Sequence, residues 1–569
     1  MWRNTVGLAV LIISIALFGL PIDTAAANSS PKLLNQGPQW TQATRAQFYS
    51  LDQGSDIMPL SWFTALKQPN GQPFVADSLG RYGYLPNPAS PTPGLPVGFT
   101  LDGSGSDTMV GMTCAACHTR QIKVQGQEYR IDGGPAIVDL QSLLADLRDA
   151  VARVLDHRAA FSAFAIDVLG PAPDRAEKAA LRRAVEAWQL RFATLMDISL
   201  PEQSWGPGRA DCVGLIFNRV TGLDIGPPPS YIIRRNIREA AAPVRYPFIW
   251  NASIQDRTQW AGFAENGNAL LALARNVGEV YGVFGQFAPQ KTPTGIDYLA
   301  VNSVDIPNLL ELEELIARIG PPRWPWGVNH DLAERGKAIF NRPTARGGCV
   351  DCHGIKPGVT RPVNQKTWLT PVLNVGTDTR AYDNFAWTAR TGVLNGASTA
   401  ELPTPLKPVD LSINVLSTAV TGAIGQFCEE NPSTCGLTAE AGRSAVPATA
   451  PRLEQAGSSG TTAGLEFGAY ESRVLEGVWA AAPYLHNGSV PTLAQLLTPP
   501  AQRVRSFRVG PNYDTKDIGL ATHQTKFDYV LHATGCDDLN SGNSNCGHDF
   551  GTRLSPPNKR ALLEYLKTL

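Results

Sequence analysis

The stretch Gly347-Gly348-Cys349-Val350-Asp351-Cys352-His353-Gly354 contains a C-x-x-C-H motif, and an earlier stretch, Cys114-Ala115-Ala116-Cys117-His118, contains a second one. In this pattern two thiols bond to the vinyl groups of a c-type haem, and the adjacent imidazole binds the iron. For a single motif the alternatives are a chance match, a disulfide or half of a zinc site. Two motifs in one chain favour haem attachment at both. The sequence therefore predicts two covalently bound haems c. Their attachment residues are Cys114, Cys117 and His118 for haem 1, and Cys349, Cys352 and His353 for haem 2.

Composition narrows the class of protein. The chain has 569 residues, a formal net charge of −1 and 43% hydrophobic residues, which suits a globular protein of two or three domains. This charge gives no electrostatic basis for a nucleic-acid partner. With 53 Gly and 44 Pro, we expect many long structured loops.

The N-terminus resembles an export signal. A short basic start, Met1-Trp2-Arg3, precedes the apolar run Val6 to Leu20, and Ala25-Ala26-Ala27 offers a cleavage site. Residues 1–27 are therefore predicted to be a signal peptide, with an uncleaved anchor as the alternative. No other stretch is expected to span a membrane. The mature protein is predicted to be periplasmic or secreted, where bacteria attach haem covalently.

Four of the other five cysteines agree with this compartment. Cys428 and Cys435 lie close in sequence, as do Cys536 and Cys546, and both pairs are predicted to form short disulfide loops. Cys212 remains, and we expect it to be a buried small hydrophobic residue.

The apolar spacing predicts a mainly α fold, and the two C-x-x-C-H motifs predict two cytochrome c-type domains with long loops and a helical insertion. Residues 28–105 are predicted to be a loop-rich N-terminal segment, and residues 106–320 the first haem domain. Its insert contains two predicted helices, Val138 to about Leu169 and Asp174 to about Leu195. Residues 201–290 are expected to be mostly loops. Val304 to Ile319 is a further predicted helix, and Gly320-Pro321-Pro322 ends it.

The second haem domain is predicted to span residues 327–569, after a linker at Pro321 to Gly327. Asn329 is a candidate N-cap for a helix over Asp331 to Phe340, and Gly336 allows another helix to approach closely. Ser555 to Leu569 is the expected C-terminal partner helix. Residues 398–464, rich in small and polar residues, are predicted to be a surface insertion.

Several motifs resemble the bacterial dihaem cytochrome c peroxidase superfamily, which includes the rubber oxygenases. Ala482 to Leu493 is similar to the family's A-P-Y-x-H-[DN]-G-S-x-x-T-L signature. Gln259-Trp260-Ala261-Gly262 resembles its F-W-D-G-R segment, without the Asp and Arg. Val375 to Asp378 and Gly547 to Thr552 look like the rubber-oxygenase branch. The resemblance implies two haem domains, electron transfer between the haems and Trp260 as the bridge, although a packed core Trp is the alternative. Members often hold a calcium ion between the haems, and no dense carboxylate loop identifies one here.

The chain departs from the peroxidases at the second haem. Their Met ligand, about fourteen residues after the signature His, has no equivalent here, since no Met follows Met196. By resemblance to the rubber oxygenases, His548 is the best candidate for the sixth ligand of haem 2. His486 is the second candidate, and His523 and His532 are weaker ones. An imidazole in place of Met lowers a haem's reduction potential.

The first haem departs as well, because no His follows the first motif at the distance that resting peroxidases use. His157 is expected to be a helix-surface residue, so haem 1 is predicted to keep an open sixth position. By analogy the distal pocket comes from about residues 245–285, where Leu270 replaces a family Gln and Glu279 is the approximate equivalent of a family Glu. Glu279 is a candidate base for moving a proton between peroxide oxygens, and an ordinary helix carboxylate is the alternative.

Three functions follow from these features. The first is an oxygenase in which haem 1 binds O2 and an apolar polymer or small molecule is cleaved at a C=C bond. The second is a peroxidase that reduces H2O2 with electrons from a small redox partner cytochrome or another reductant. The third is a plain electron carrier. The first two share the description of a dihaem c-type oxidoreductase.

Overall fold

The fold mixes short sheets with helices. The computed structural model describes residues 30–400, 402–435, 461–462 and 465–569. The predicted signal peptide lies outside these residues, as do residues 436–460 of the predicted surface insertion. About 39% of the structure is helical and 15% is strand. The prediction of a mainly α fold is therefore wrong. Segments that were expected to be loops because of their Gly and Pro content pair as strands of two to six residues.

The described residues form fourteen α-helices. They are α1 (Gln42–Ser50), α2 (Leu60–Ala65), α3 (Cys114–Cys117), α4 (Leu140–Asp156), α5 (Arg158–Leu169), α6 (Arg175–Ser199), α7 (Cys212–Arg219), α8 (Ala269–Gly282), α9 (Ile306–Arg318), α10 (His330–Phe340), α11 (Val350–His353), α12 (Ser412–Glu430), α13 (Leu493–Leu496) and α14 (Pro556–Leu566). Each of the two C-x-x-C-H motifs thus overlaps a single helical turn, α3 in the first and α11 in the second.

The strands are short, and each pairs with one or two neighbours. They are β1 (Lys32–Leu33), β2 (Met58–Pro59), β3 (Phe99–Asp102), β4 (Met109–Met112), β5 (Thr119–Val124), β6 (Gln127–Asp132), β7 (Arg209–Ala210), β8 (Val244–Arg245), β9 (Arg257–Thr258), β10 (Ala264–Glu265), β11 (Gln290–Thr292), β12 (Gly295–Asp297), β13 (Val372–Leu373), β14 (Thr388–Arg390), β15 (Val409–Leu411), β16 (Thr461–Thr462), β17 (Leu465–Glu466), β18 (Tyr470–Glu471), β19 (Ser506–Arg508), β20 (Tyr513–Asp514), β21 (Gly519–Leu520) and β22 (Val530–His532). Two sheets have three strands, β1-β6-β5 and β2-β4-β3, and the other sheets of the described residues have two.

The longest hairpin follows the first haem motif directly. β5 and β6 pair antiparallel from Thr119 opposite Asp132 to Val124 opposite Gln127. The two residues between them, Gln125 and Gly126, have φ values of 48° and 86°, as a tight type I′ turn requires. β6 also pairs with β1, so this hairpin is the core of one of the two three-stranded sheets.

The predicted helices around the insert and the second motif are confirmed, with small changes in their ends. The first insert helix divides at His157 into α4 and α5. Asp174 caps α6 through a capping box with Glu177. Asn329 caps α10 by accepting from Leu332 N, as its side chain predicts.

α10 crosses α14 at very close range through Gly336. A Cβ atom at Gly336 would lie 2.0 Å from Ala561 O and 2.7 Å from the Cβ of Tyr565. The close approach predicted for Gly336 is thus confirmed, and the partner is the C-terminal helix. Cys349 N donates to Phe340 O at the end of α10 at 2.9 Å, which ties the second motif to this helix pair.

The part of the predicted surface insertion that is described does not lie only at the surface. α12 buries most of its apolar residues, among them Val415, Ala419 and Ile424. Together with α7 and α8, which occupy segments expected to be loops, it belongs to the protein interior. The abundant Ala, Ser, Thr and Gly of this segment concealed the apolar residues at helical spacing within it.

The largest core cluster takes residues from both sides of the predicted linker, for example Leu309 and Leu312 before it and Phe340 and Leu562 after it. The domain limits stay predictions. Both predicted disulfides are present, Cys428–Cys435 and Cys536–Cys546. Within the described part of the chain, none of the helices combines the length and the apolar character that crossing a membrane needs.

Candidate functional site

The second haem motif opens into a cavity of about 180 Å³. We call it the His353 cavity; Cys349, Cys352, His353, His486 and His548 are among the residues that line it. α11 supplies the motif, and α14 supplies Leu562 and Leu566 as an apolar wall. Two thiols and three imidazoles thus face one largely apolar space.

His353 and His548 face each other in this cavity. Their ring centroids are 6.1 Å apart. Imidazole nitrogens bind transition-metal ions at about 2 Å, and the nitrogen of such a ring lies about 1.1 Å from its centroid. Two imidazoles on opposite sides of one ion therefore have centroids roughly 6.3 Å apart. The observed spacing fits one iron between the two rings.

The hydrogen bonds and burial of the two rings agree with that fit. His353 Nδ1 lies 2.7 Å from Arg473 O, and because a carbonyl only accepts, Nδ1 donates and Nε2 keeps its lone pair. His548 Nδ1 is buried and has no hydrogen-bond partner among the described residues. Burial lowers the pKa of both rings, and that of His548 falls to about 3. Both rings are therefore neutral, as metal ligands must be.

A short left-handed turn holds His548 in place. His548 has φ 48°, a conformation that costs energy for a residue with a side chain. Its backbone N–H donates to Val375 O at 2.9 Å, and a Cβ at Gly547 would lie 2.4 Å from Gly376 C. The two sequence motifs Val375 to Asp378 and Gly547 to Thr552 thus pack against each other, and together they aim the ring of His548.

His486, the second candidate ligand, lies in the same cavity in a different setting. Its ring stacks on Tyr470 with centroids 3.7 Å apart and planes 12° apart. It also packs edge-on against Trp260, with ring centroids 6.5 Å apart. Burial lowers the pKa of His486 to about 3. Of the two candidates, the ring that faces His353 is that of His548.

The first haem motif opens into a larger cavity of about 280 Å³. We call it the His118 cavity; Cys114, Cys117, His118 and Glu279 are among the residues that line it. His118 Nδ1 lies 2.9 Å from Pro247 O, so the ring is oriented in the same way as that of His353. Burial lowers its pKa to about 4. Within the described chain, His118 is the one histidine that lines this cavity.

Glu279 reaches the His118 cavity from α8. Its Oε1 accepts from Gln259 Nε2 at 2.6 Å. Burial raises the pKa of Glu279 above its ordinary value, although Arg275 and Gln259 act in the opposite direction. The cavity surface around it is mostly apolar, including Leu271 from α8 and Leu416 from α12. A buried carboxyl group with a raised pKa in such a pocket is a candidate group for proton transfer.

Five residues line both cavities and form the shared wall: Arg245, Phe248, Trp260, Glu471 and Arg473. Trp260 Nε1 donates to Arg245 O at 2.9 Å, and the Arg245 guanidinium lies 4.7 Å from the centroid of the Trp260 ring. The structure thus places the predicted bridge residue between the two predicted haem sites.

The residues present fit a haem in each cavity. In each cavity the motif supplies two free cysteines and an adjacent imidazole with one ring nitrogen available. The disulfide alternative for the motifs is not found, because these four cysteines are unpaired. No group of three or more His, Cys, Asp or Glu in the described residues is placed to hold a metal ion, so the structure gives no support to a calcium site.

The remaining sequence candidates lie away from these cavities or contribute little to them. His157, His523 and His532 are exposed. Leu270 is only partly buried and does not line the His118 cavity, whereas its neighbour Leu271 does. Cys212 is free and lines the His118 cavity.

Sequence reasoning missed the charged residues of the shared wall, Arg245, Glu471 and Arg473. The density of Arg in residues 201–290 was a weak signal for Arg245, since an Arg between apolar residues must find partners if it is buried. Glu471 and Arg473 precede the Ala482 to Leu493 signature and had no signal of their own.

Comparison with known proteins defines the class. Residues 469–508 match a family model described as RoxA-like, cytochrome c-like. This segment holds Glu471, Arg473 and His486 and provides nearly half of the residues that line the His353 cavity. The protein therefore has a cytochrome c-like domain, and such a domain implies covalently bound haem c.

Two relatives extend the comparison. Uncharacterized protein y4iJ of Sinorhizobium fredii is 30% identical over 93% of this chain and 92% of its own length. Uncharacterized protein y4iM of the same organism is 26% identical over 57% of this chain and 63% of its own length. The chain belongs to the family of y4iJ.

Proposed function

We propose that this protein is an exported dihaem c-type oxidoreductase, a member of the dihaem peroxidase superfamily with an oxygenase-like reaction on an apolar substrate. The observation that carries this proposal is the difference between the cavities. In the described residues the His353 cavity has a second histidine opposite the first, and the His118 cavity has none. Haem 1 would then supply an open iron position for O2, and haem 2 would store or relay electrons.

The residues of the His118 cavity support an apolar substrate. Leu271, Phe284, Ile413 and Leu416 face the same space as His118. They would pack around haem 1 and make the surroundings of its open position apolar, which favours a hydrocarbon chain over water there. Cleavage of a C=C bond by O2 yields two carbonyl groups and takes up both oxygen atoms. The reaction therefore needs no net supply of electrons. Electrons that pass through Trp260 would serve only to return haem 1 to its reduced state.

The second candidate is a peroxidase that takes electrons from a donor cytochrome. Glu279 favours it, because O–O cleavage in H2O2 needs a group that moves a proton between the oxygens. Two electrons and two protons convert H2O2 to two waters. The electrons would come from a small redox partner through haem 2 and Trp260.

Export is supported by the two disulfides outside the haem motifs, since such bonds persist in oxidising compartments. We infer a periplasmic or secreted protein that reacts with O2 or H2O2. A small reductant or cytochrome is the proposed partner.

The test is a visible spectrum of the reduced protein with and without CO. One CO per two haems is the expected result. No CO binding would overturn both catalytic proposals and favour a plain electron carrier. If CO binds, O2-dependent carbonyl formation from a polyisoprenoid oil supports the oxygenase. Oxidation of a reduced cytochrome c on addition of H2O2, without that carbonyl formation, overturns the oxygenase in favour of the peroxidase.

A further inference from the structure

The shared wall carries more positive than negative charge. Glu471 Oε1 lies 3.7 Å from Arg473 Nε, and these side chains are only 2% and 6% exposed. Arg245 lines the same two cavities and is 6% exposed as a residue. One carboxylate therefore faces two guanidinium groups at the boundary between the cavities.

The hydrogen bonds of the two arginines do not remove this surplus. Arg245 Nε donates to Leu485 O at 2.9 Å, and Arg473 Nη2 donates to Gln255 Oε1 at 2.7 Å. These acceptors are neutral. Burial lowers the pKa of Arg245 to about 9 and also lowers the pKa of Arg473.

Arg275, in the His118 cavity, shows what a compensated arginine looks like in this protein. It makes an ion pair with Glu313. Burial alone would lower its pKa, but the charges of Glu313 and Glu279 raise it instead. The arginines of the shared wall lack such a pair of carboxylates.

Two polar atoms of the wall are also left without hydrogen bonds. Glu471 Oε2 and Arg473 Nε are buried and have no hydrogen-bond partner in the part of the chain that is described. A buried cation that is not fully paired is costly, so the wall requires a further anion. Each haem would bring two propionate carboxylates into these cavities, and guanidinium groups suit carboxylates well.

We propose that Arg245 and Arg473 bind haem propionates from both cavities, and that the charge of this one wall sets the reduction potentials of the two haems together. The proposal rests on the dihaem function proposed above. Reduction adds an electron to the iron, so a nearby positive charge favours the reduced state. In a buried wall of low dielectric such a charge is felt strongly by both sites.

The experiment is a potentiometric titration of the purified holoprotein, followed by the visible bands of the haems. Glu471→Gln removes the negative charge of the wall with little change in volume. It is expected to raise each midpoint potential by about 59 mV, which is a tenfold change in the one-electron equilibrium constant. Arg473→Gln is expected to lower both potentials.

The matched control is Glu279→Gln, the same substitution at a carboxylate that lines only the His118 cavity. It is expected to shift the potential of haem 1 alone. A Glu471→Gln protein in which one potential moves and the other does not, or in which neither moves, overturns the proposal.

Loss of folding has its own readout. Far-UV circular dichroism and the haem-to-protein absorbance ratio show whether each variant is intact. If the Glu471→Gln protein does not fold, Arg245→Gln provides the same test, and both potentials are expected to fall. Unchanged potentials in the Arg245→Gln protein would overturn the proposal that this wall sets both potentials. The titration needs no reaction with CO, O2 or peroxide, so its outcome is separate from the test of the proposed function.

Discussion

His353 and His548 face each other across one cavity with ring centroids 6.1 Å apart, although they are far apart in sequence. This spacing matches two imidazoles on one iron. The hydrogen bond from His548 N to Val375 O fixes the second ring through its backbone, so the ring can be removed without removing the turn that carries it.

His548→Ala is therefore expected to open a second iron position. The reduced variant should bind two CO per protein, compared with one for the unaltered protein, because haem 2 loses its second imidazole. His548→Met should instead keep haem 2 closed and raise its potential, since thioether ligation raises haem potentials. CO titration and potentiometry measure the two effects.

His523→Ala is the control for this prediction, since His523 is exposed. His486→Ala tests the second candidate ligand. If His486→Ala adds a CO site and His548→Ala does not, the assignment of His548 is wrong.

Trp260→Phe is expected to slow electron transfer between the haems. Trp260 lines both cavities, and its Nε1–H donates to Arg245 O. Phe keeps a ring but is harder to oxidise and lacks this hydrogen bond. After flash photolysis of CO from half-reduced protein, we expect redistribution of the electron to be at least about tenfold slower, a barrier change of roughly 1.4 kcal/mol.

Trp324→Phe controls for loss of an indole, because Trp324 packs on Trp479 and Tyr513 and lines neither cavity. Equal rates in the Trp260→Phe and unaltered proteins would show that Trp260 is a packing residue.

The sequence predicted those structural features that a short stretch of residues or a single side chain decides. The thiol–imidazole spacing of the motifs and the Asn329 cap depend on neighbouring residues, and the crossing of α10 with the distant α14 was predictable from one small residue, Gly336. These features were predictable because one turn of helix or one side chain decides them. The residues that would attach the haems stay predictions, and the structure places each set in a cavity.

The remaining features had a weaker local signal or depended on long-range contacts. The hairpin of β5 and β6 uses a Gln-Gly turn, which is a weaker hairpin signal than Asn-Gly or Asp-Gly. α12 lies in a segment rich in small and polar residues, and the composition of that segment favoured a position at the surface. The shared wall joins Arg245 to Glu471 and Arg473 only after folding, and no local pattern predicts this contact.

Gly336→Ala is expected to destabilise the protein by about 1 to 3 kcal/mol, the usual range for overpacking. The added Cβ would lie 2.0 Å from Ala561 O, so α10 and α14 must move apart beside the second motif. Thermal unfolding followed at a haem 2 band measures the loss.

Gly425→Ala in α12 is the matched control. Its Cβ would meet no atom within 4 Å, so greater helix propensity should stabilise the protein by up to about 1 kcal/mol. Equal effects of the two substitutions would contradict the close crossing.

Glu279→Gln is expected to slow the reaction with O2 or peroxide by about 10²- to 10⁴-fold, the usual contribution of a general acid–base group, with haem content unchanged. A base acts in its deprotonated form, and burial raises the pKa of Glu279 above its ordinary value. The rate of the unaltered protein should therefore fall as the pH is lowered through this raised pKa, and it should be constant above it. Glu279→Gln should lose this dependence, because Gln does not titrate. Stopped-flow rates from pH 4 to about 9 measure both effects. Glu265→Gln is the control, since Glu265 lines the same cavity but pairs with Arg361. If Glu279→Gln keeps the acidic limb, another group moves the proton.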